Sequence, residues 1–161
     1  MADTLRLMQL VDAMGTARDL NELCRVVAQS TAWPQRFHSV VVGAYQPDEG
    51  LVEVGRFDLP GEPGSGYRAL PRLSDIPSAF QKAPSGVVVA LPANEFASET
   101  SCWVVPIRSH GDRFGLLACW AHEDVTSLPV AEAQEHLVAT GVKLRLRQHV
   151  AARPDAHRHA S

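Results

Sequence analysis

A chain of 161 residues, 45% hydrophobic and with a formal charge of -3, is sized for one domain built on one apolar core. That charge argues against direct binding of nucleic acid or an anionic membrane, and no apolar run approaches the ~20 residues of a membrane-spanning helix. Asp3 precedes any basic residue and no hydrophobic signal core follows, which argues against export; Cys24, Cys102 and Cys119, odd in number and set among apolar neighbours, read as reduced core thiols of a cytoplasmic protein.

Residues 4–14 place Leu7, Leu10, Val11 and Met14 at helical spacing, with Asp3 as cap and Gly15 as stop. Asp19-Leu-Asn-Glu22 has the form of a capping box and opens a second helix. Its inward stripe is Leu20, Leu23, Cys24, Val27 and Ala28, and Trp33-Pro34 ends it. Residues 37–45 and 51–59 read as two strands around a turn at 46–50. Residues 60–71 hold three Gly and three Pro and form a loop; Ser74-Asp75-Ile76-Pro77 opens a short helical segment with Ala79 and Phe80 turned inward. Residues 87–91 are a short strand. A long helix is expected from Ser127-Leu-Pro129 to about Val150. Its apolar positions Ala133, Leu137, Val138, Gly141, Val142, Leu144 and Leu146 cover more than one face, and Lys143, Arg145 and Arg147 fall in its last turns. The expected organisation is a single domain over residues 1–150 with a flexible polar tail over 151–161.

Between the last two of these elements lies Trp103-Val-Val-Pro-Ile-Arg-Ser-His-Gly-Asp-Arg-Phe-Gly-Leu-Leu-Ala-Cys-Trp120. It reads as two strands joined at His110-Gly111-Asp112, both nearly continuously apolar, hence covered on both faces and central in a sheet. With Pro106 in one strand and Gly115 just past the turn, it resembles the closing hairpin of GAF domains. The resemblance extends over roughly residues 5–147. Within that superfamily, Phe37-His-Ser-Val-Val-Val-Gly-Ala-Tyr45, Ser74-Asp-Ile-Pro77 and Phe114-Gly-Leu-Leu-Ala-Cys119 are similar to segments of phytochrome chromophore domains. Two departures stand against a bilin pocket: the long insertion of phytochromes before the closing hairpin is missing, and their His-His pair is Trp120-Ala121 here.

The element order gives an α+β fold with an antiparallel sheet. The resemblance implies terminal helices on one face of that sheet and a loop-helix lid on the other. It also implies a sensory or regulatory domain with a small-molecule cavity on the lid side. On this register the ligand-binding positions are Val41, Gly43 and Tyr45 from the first strand, Cys102 and Val104 from one hairpin strand, and Ala118 and Trp120 from the other, with Ile76 and Phe80 in the lid. The identity of any cofactor stays open, and plain core packing is the competing reading of these residues. Signalling would pass through the terminal helices, whose surplus apolar surface predicts a homodimer; a ligand-free dimerisation or interaction module is the alternative.

Some GAF proteins reduce methionine sulfoxide with three clustered cysteines. Here the three lie on a packing helix and in strands, away from exposed, electropositive surroundings, so no catalytic residue is assigned. His38, His110, His122 and His136 show no metal-binding spacing, and the His157/His159 pair is a solvated tail. Arg56, Arg68 and Arg72 flank the Gly/Pro loop, where they could meet an anionic ligand, though solvated loop charge is the commoner role.

Overall fold

The computed structural model describes residues 4–33, 37–46, 48–59, 87–91, 100–109, 112–121 and 132–152. They form α1 (Thr4–Thr16), α2 (Leu20–Ala28), β1 (Phe37–Gln46), β2 (Gly50–Asp58), β3 (Val87–Leu91), β4 (Thr100–Ser109), β5 (Asp112–Ala121) and α3 (Glu132–Ala152). The lid segment with Ile76 and Phe80 lies outside the described residues, as do Asp3, Arg68, Arg72 and the tail beyond Ala152.

α1 buries Leu7, Leu10 and Met14 of the stripe its spacing predicts and leaves Val11 half-buried, and it runs through Gly15 to Thr16. α2 starts where Asp19 accepts a hydrogen bond from the Glu22 N–H at 2.8 Å. Glu22 closes the box one residue further back than expected, accepting from the backbone N–H of Arg18 at 2.6 Å. That bond, with the Arg18 and Arg25 side chains, holds the Glu22 carboxyl below its ordinary pKa. At the other end, the Trp33 indole N–H donates to the Val27 carbonyl at 2.7 Å, satisfying one of the helix's last acceptors.

The five strands run in the order β2-β1-β5-β4-β3, and every neighbouring pair is antiparallel. The hairpin is central, as its doubly apolar pattern requires: Trp103 pairs with Cys119, Val105 with Leu117 and Ile107 with Gly115. Pro106, which lacks an N–H for the ladder, sits beyond Val104, where the pairing with β3 stops. β1 turns into β2 at Gly50, whose φ of 76° is a left-handed conformation that suits glycine.

All three helices contribute to one side of the sheet. α2 packs on β1 and β2, α3 on β4 and β5, and α1 against α3 and α2. Between them lies the main core, which includes Leu23, Val27, Val40, Val42, Trp103, Val105, Leu117, Cys119, Val138, Val142 and Leu146. Trp33, Phe37 and Trp103 form an aromatic group within it, with ring centroids 5.4–6.2 Å apart.

α3 departs from the sequence expectation in its bounds and in its charges. It extends to Ala152, so Lys143, Arg145 and Arg147 lie a turn or more inside it and do not complement its C-terminal dipole. Arg145 instead reaches sideways, donating to the carbonyls of Gly15 (3.4 Å) and Ala17. It thereby ties α3 to the α1–α2 junction.

Gly115 marks a close approach between sheet and helix, as Gly55 does beneath Leu20 of α2. A Cβ at Gly115 would lie 2.5 Å from the Gly43 carbonyl oxygen and 2.6 Å from Leu146 Cδ1. Gly115→Ala is therefore expected to cost at least about 2 kcal/mol. Gly15→Ala, with nothing within 4 Å of the new methyl, should be neutral or gain up to about 1 kcal/mol. Urea melts of the two variants against wild type check this; equal midpoints would refute the close approach.

Candidate functional site

Strand alternation sends every second side chain away from the helices, and the structure gathers those residues into a second buried cluster: Val41, Cys102, Val104, Leu116, Ala118 and Trp120, with Leu51 packed against it. Five of the residues singled out from the sequence meet here. They come from the three central strands β1, β5 and β4, where Val41 pairs with Ala118 and Val104 with Ala118 from the other side. Gly43 follows on β1, buried and paired with Leu116, and Tyr45 stands half-buried opposite Leu51 on β2.

Sequence reasoning missed the polar part of this face. Ser39 has the same parity as Val41 and could have been found by continuing the alternation. It is fully buried, pairs with Trp120, and its Oγ lies 2.8 Å from His38 Nδ1 in a hydrogen bond. The charged residues of β2 were not legible. Val54 is an extra residue in the β1–β2 ladder, so the outward parity shifts from Leu51 and Glu53 to Arg56 and Asp58. A similar bulge at His38 turns Phe37 to the helix side, where it joins Trp33 and Trp103.

Arg56 is not available to greet an anion. Its Nε donates to Asp58 Oδ2 at 2.7 Å and its Nη1 to Glu53 Oε1 at 2.8 Å. Burial works against its charge, but the Asp58 and Glu53 carboxylates prevail and raise its pKa. This edge of the face thus carries one cation between two anions. Two buried polar atoms on the face, Trp120 Nε1 and Asp58 Oδ1, have no hydrogen-bond partner among the described residues.

All three cysteines are unpaired and buried. Burial pushes Cys24 and Cys102 up to about 12 and raises Cys119 well above the ordinary thiol range. Cys102 lies on the face just described, while Cys24 and Cys119 lie in the helix-side core. Among the described residues no group of His, Cys, Asp or Glu is arranged to hold a metal ion. His110 and His122 fall outside those residues. No helix among them is long and apolar enough to cross a membrane.

No known family profile matches the sequence, and no curated protein does. Solved structures match it throughout. A GAF domain from an Acinetobacter phosphoenolpyruvate-protein phosphotransferase superposes with a TM-score of 0.59 at 16% identity, covering 94% of this chain and 98% of that one. The chromophore-binding domain of an unusual bacteriophytochrome from R. palustris gives 0.59 at 14% identity, over 92% of this chain and 62% of that one. The photosensory core module of a Stigmatella aurantiaca phytochrome gives 0.54 at 14%, over 91% of this chain and 36% of that one. The architecture derived above, an antiparallel β2-β1-β5-β4-β3 sheet with its helices on one face, is the GAF fold.

Proposed function

We propose that this chain is a sensory or regulatory domain that takes up a small molecule on the sheet face opposite its helices and passes the occupancy of that face to α3. The observation that carries this reading is the buried cluster of Val41, Cys102, Val104, Leu116, Ala118 and Trp120 away from the helical core. Its side chains stand on central strands, which hold a ligand-contacting geometry more firmly than loops do. The superposed structures include a GAF domain and the chromophore-binding domain of a bacteriophytochrome, which fits a ligand-receiving role.

A route to the helices is built into β5. Leu116 faces the proposed site, and its neighbour Gly115 abuts Leu146 of α3. Displacement of β5 by an occupant would press on α3, and Arg145 would carry the movement to the junction of α1 and α2. The expected occupant of the helical surface is a second copy of the chain. Leu144 and Leu146 cannot share a helix face; Leu146 is buried whereas Leu144 is 54% exposed, and Leu137 on α3 and Leu5 and Met8 on α1 are exposed as well. Thiol catalysis has no part in this reading, because a nucleophilic cysteine needs a depressed pKa. Three reduced thiols fit a cytoplasmic setting.

Gly43→Leu tests the site. The expected result is a denaturation free energy within about 0.5 kcal/mol of wild type together with loss of any small molecule seen on the wild type by native mass spectrometry. A loss of about 1–3 kcal/mol, with no bound molecule on the wild type, favours a packed, ligand-free interaction module instead.

Assembly is read by light scattering. Leu144→Asp should convert the dimer to monomer with an unchanged circular dichroism spectrum, whereas Leu146→Asp should unfold the protein. A wild type that stays monomeric at high concentration defeats the dimer.

The thiols give a pH dependence. Each binds its proton more tightly when folded than when unfolded, so their contribution is complete below about pH 9 and is lost as pH rises towards about 12. Stability should fall over that alkaline window. Replacing Cys102 with Ala should make the fall shallower, and labelling at pH 8 should proceed only as fast as the protein opens. Rapid labelling of two or more native thiols would overturn the assignment and revive thiol chemistry.

A further inference from the structure

The polar atoms of the second face lie on one row. Asp58 of β2 pairs with Ser39 of β1, Ser39 with Trp120 of β5, and Trp120 with Cys102 of β4, so these four side chains share a face and cross the sheet in line. The middle of the row is satisfied, because Ser39 Oγ is bonded to His38 Nδ1. Its flanks are not: Trp120 Nε1 is buried without a partner among the described residues, and so is the Oδ1 atom of Asp58, whose side chain as a whole is 35% exposed. An indole N–H can only donate and a carboxylate oxygen can only accept. The two would suit one another, yet β1 separates their strands, about 10 Å apart at the backbone. Buried polar atoms are nearly always satisfied, and two complementary orphans on one row call for something between them. The third such atom, Trp103 Nε1, lies in the helix-side core with the Trp33 and Phe37 rings and takes no part in the row.

We propose that the ligand of this face is a small uncharged molecule with an apolar body that accepts a hydrogen bond from Trp120 Nε1 and donates one to Asp58 Oδ1; this rests on the reading of the face as a ligand site. Charge at the row argues against an anion, and the apolar wall beside it against any ion. The Arg56 guanidinium is held by Asp58 Oδ2 and Glu53 Oε1, which leaves two carboxylates to one cation and makes the edge unfavourable to an anion. The remaining wall of Val41, Val104, Leu116 and Ala118 offers no counter-charge and penalises any ion, cation or anion, that must shed water to rest on it. An amide-bearing ring, with a carbonyl acceptor and an N–H donor on an apolar frame, is the chemical class that meets all three conditions.

The test uses the 15N-labelled full chain. Its three tryptophans give three indole N–H resonances, and Trp120→Phe, which keeps an aromatic ring and removes the donor, identifies the one that matters. The probes are 2-pyridone, N-methyl-2-pyridone, toluene and benzoate, which present donor and acceptor, acceptor alone, neither, and a negative charge. Titration with 2-pyridone should move the Trp120 indole proton downfield and saturate. N-methyl-2-pyridone should bind about tenfold more weakly to wild type, and 2-pyridone about tenfold more weakly to Trp120→Phe, the worth of one hydrogen bond in each case. Should Trp120→Phe fail to fold, the comparison of the two pyridones on wild type still decides. If toluene or benzoate binds as tightly as 2-pyridone, the face is a ligand site but the donor–acceptor assignment is overturned. If none of the four perturbs the Trp120 resonance, the assignment and the ligand-site reading both fall.

Discussion

The structure depends on covering both faces of one hairpin. Trp103, Val105 and Ile107 of β4 and Leu117 and Cys119 of β5 point one way, while Cys102, Val104, Leu116, Ala118 and Trp120 point the other. Neither set can be left to water without forfeiting on the order of 1.5–3 kcal/mol for each large side chain exposed. The first set draws in the helices. α3 lies directly over the hairpin and α2 over the neighbouring β1 and β2, with α1 closing the layer from outside. The second set is as fully buried as the first, which gives the unpartnered indole N–H of Trp120 within it its significance.

Three bulges then decide which residues meet. His38 in β1 turns Phe37 inward to stack beside Trp103, which secures the start of the sheet to the end of α2 through Trp33. Val54 in β2 turns Arg56 and Asp58 onto the outer face and leaves Gly55 and Phe57 beneath α2. Phe114 in β5 shifts the hairpin ladder between Ile107 and Arg108, after which Gly115 is placed under Leu146. Each bulge is a local break in a two-residue repeat, and each has a consequence on the far side of the sheet.

The two faces differ in their polar chemistry. On the helix side the hydrogen-bonded groups include the helix caps and the Arg145 bonds to the α1–α2 junction, while the Trp103 indole N–H is buried in the core. On the other side they reach the interior: Ser39 is fully buried, and an Arg56 bonded to two carboxylates borders the apolar cluster. The cysteines add no charge, since burial leaves their thiols protonated on both sides of the sheet.

Much of this was written in the chain. The alternation of residues 37–45 and the doubly apolar run from Trp103 to Trp120 determined the strands, their antiparallel pairing and the central position of the hairpin. Alternation also placed Val41, Cys102, Val104, Ala118 and Trp120 on one face, because a side chain's parity along a strand is a local property. The spacing of Leu144 and Leu146 required one of them to stay outside the core, and the packing of α3 selected Leu144. The bulges, by contrast, were decided by the tertiary structure. An extra residue is visible only against the partner strand's register, so Arg56 and Asp58 could not be assigned to the outer face from their own sequence. The destination of Arg145 was hidden for a similar reason. A basic residue near a helix end reads as a match for the dipole, and only the approach of α3 to the α1–α2 junction gave it two carbonyls to bind.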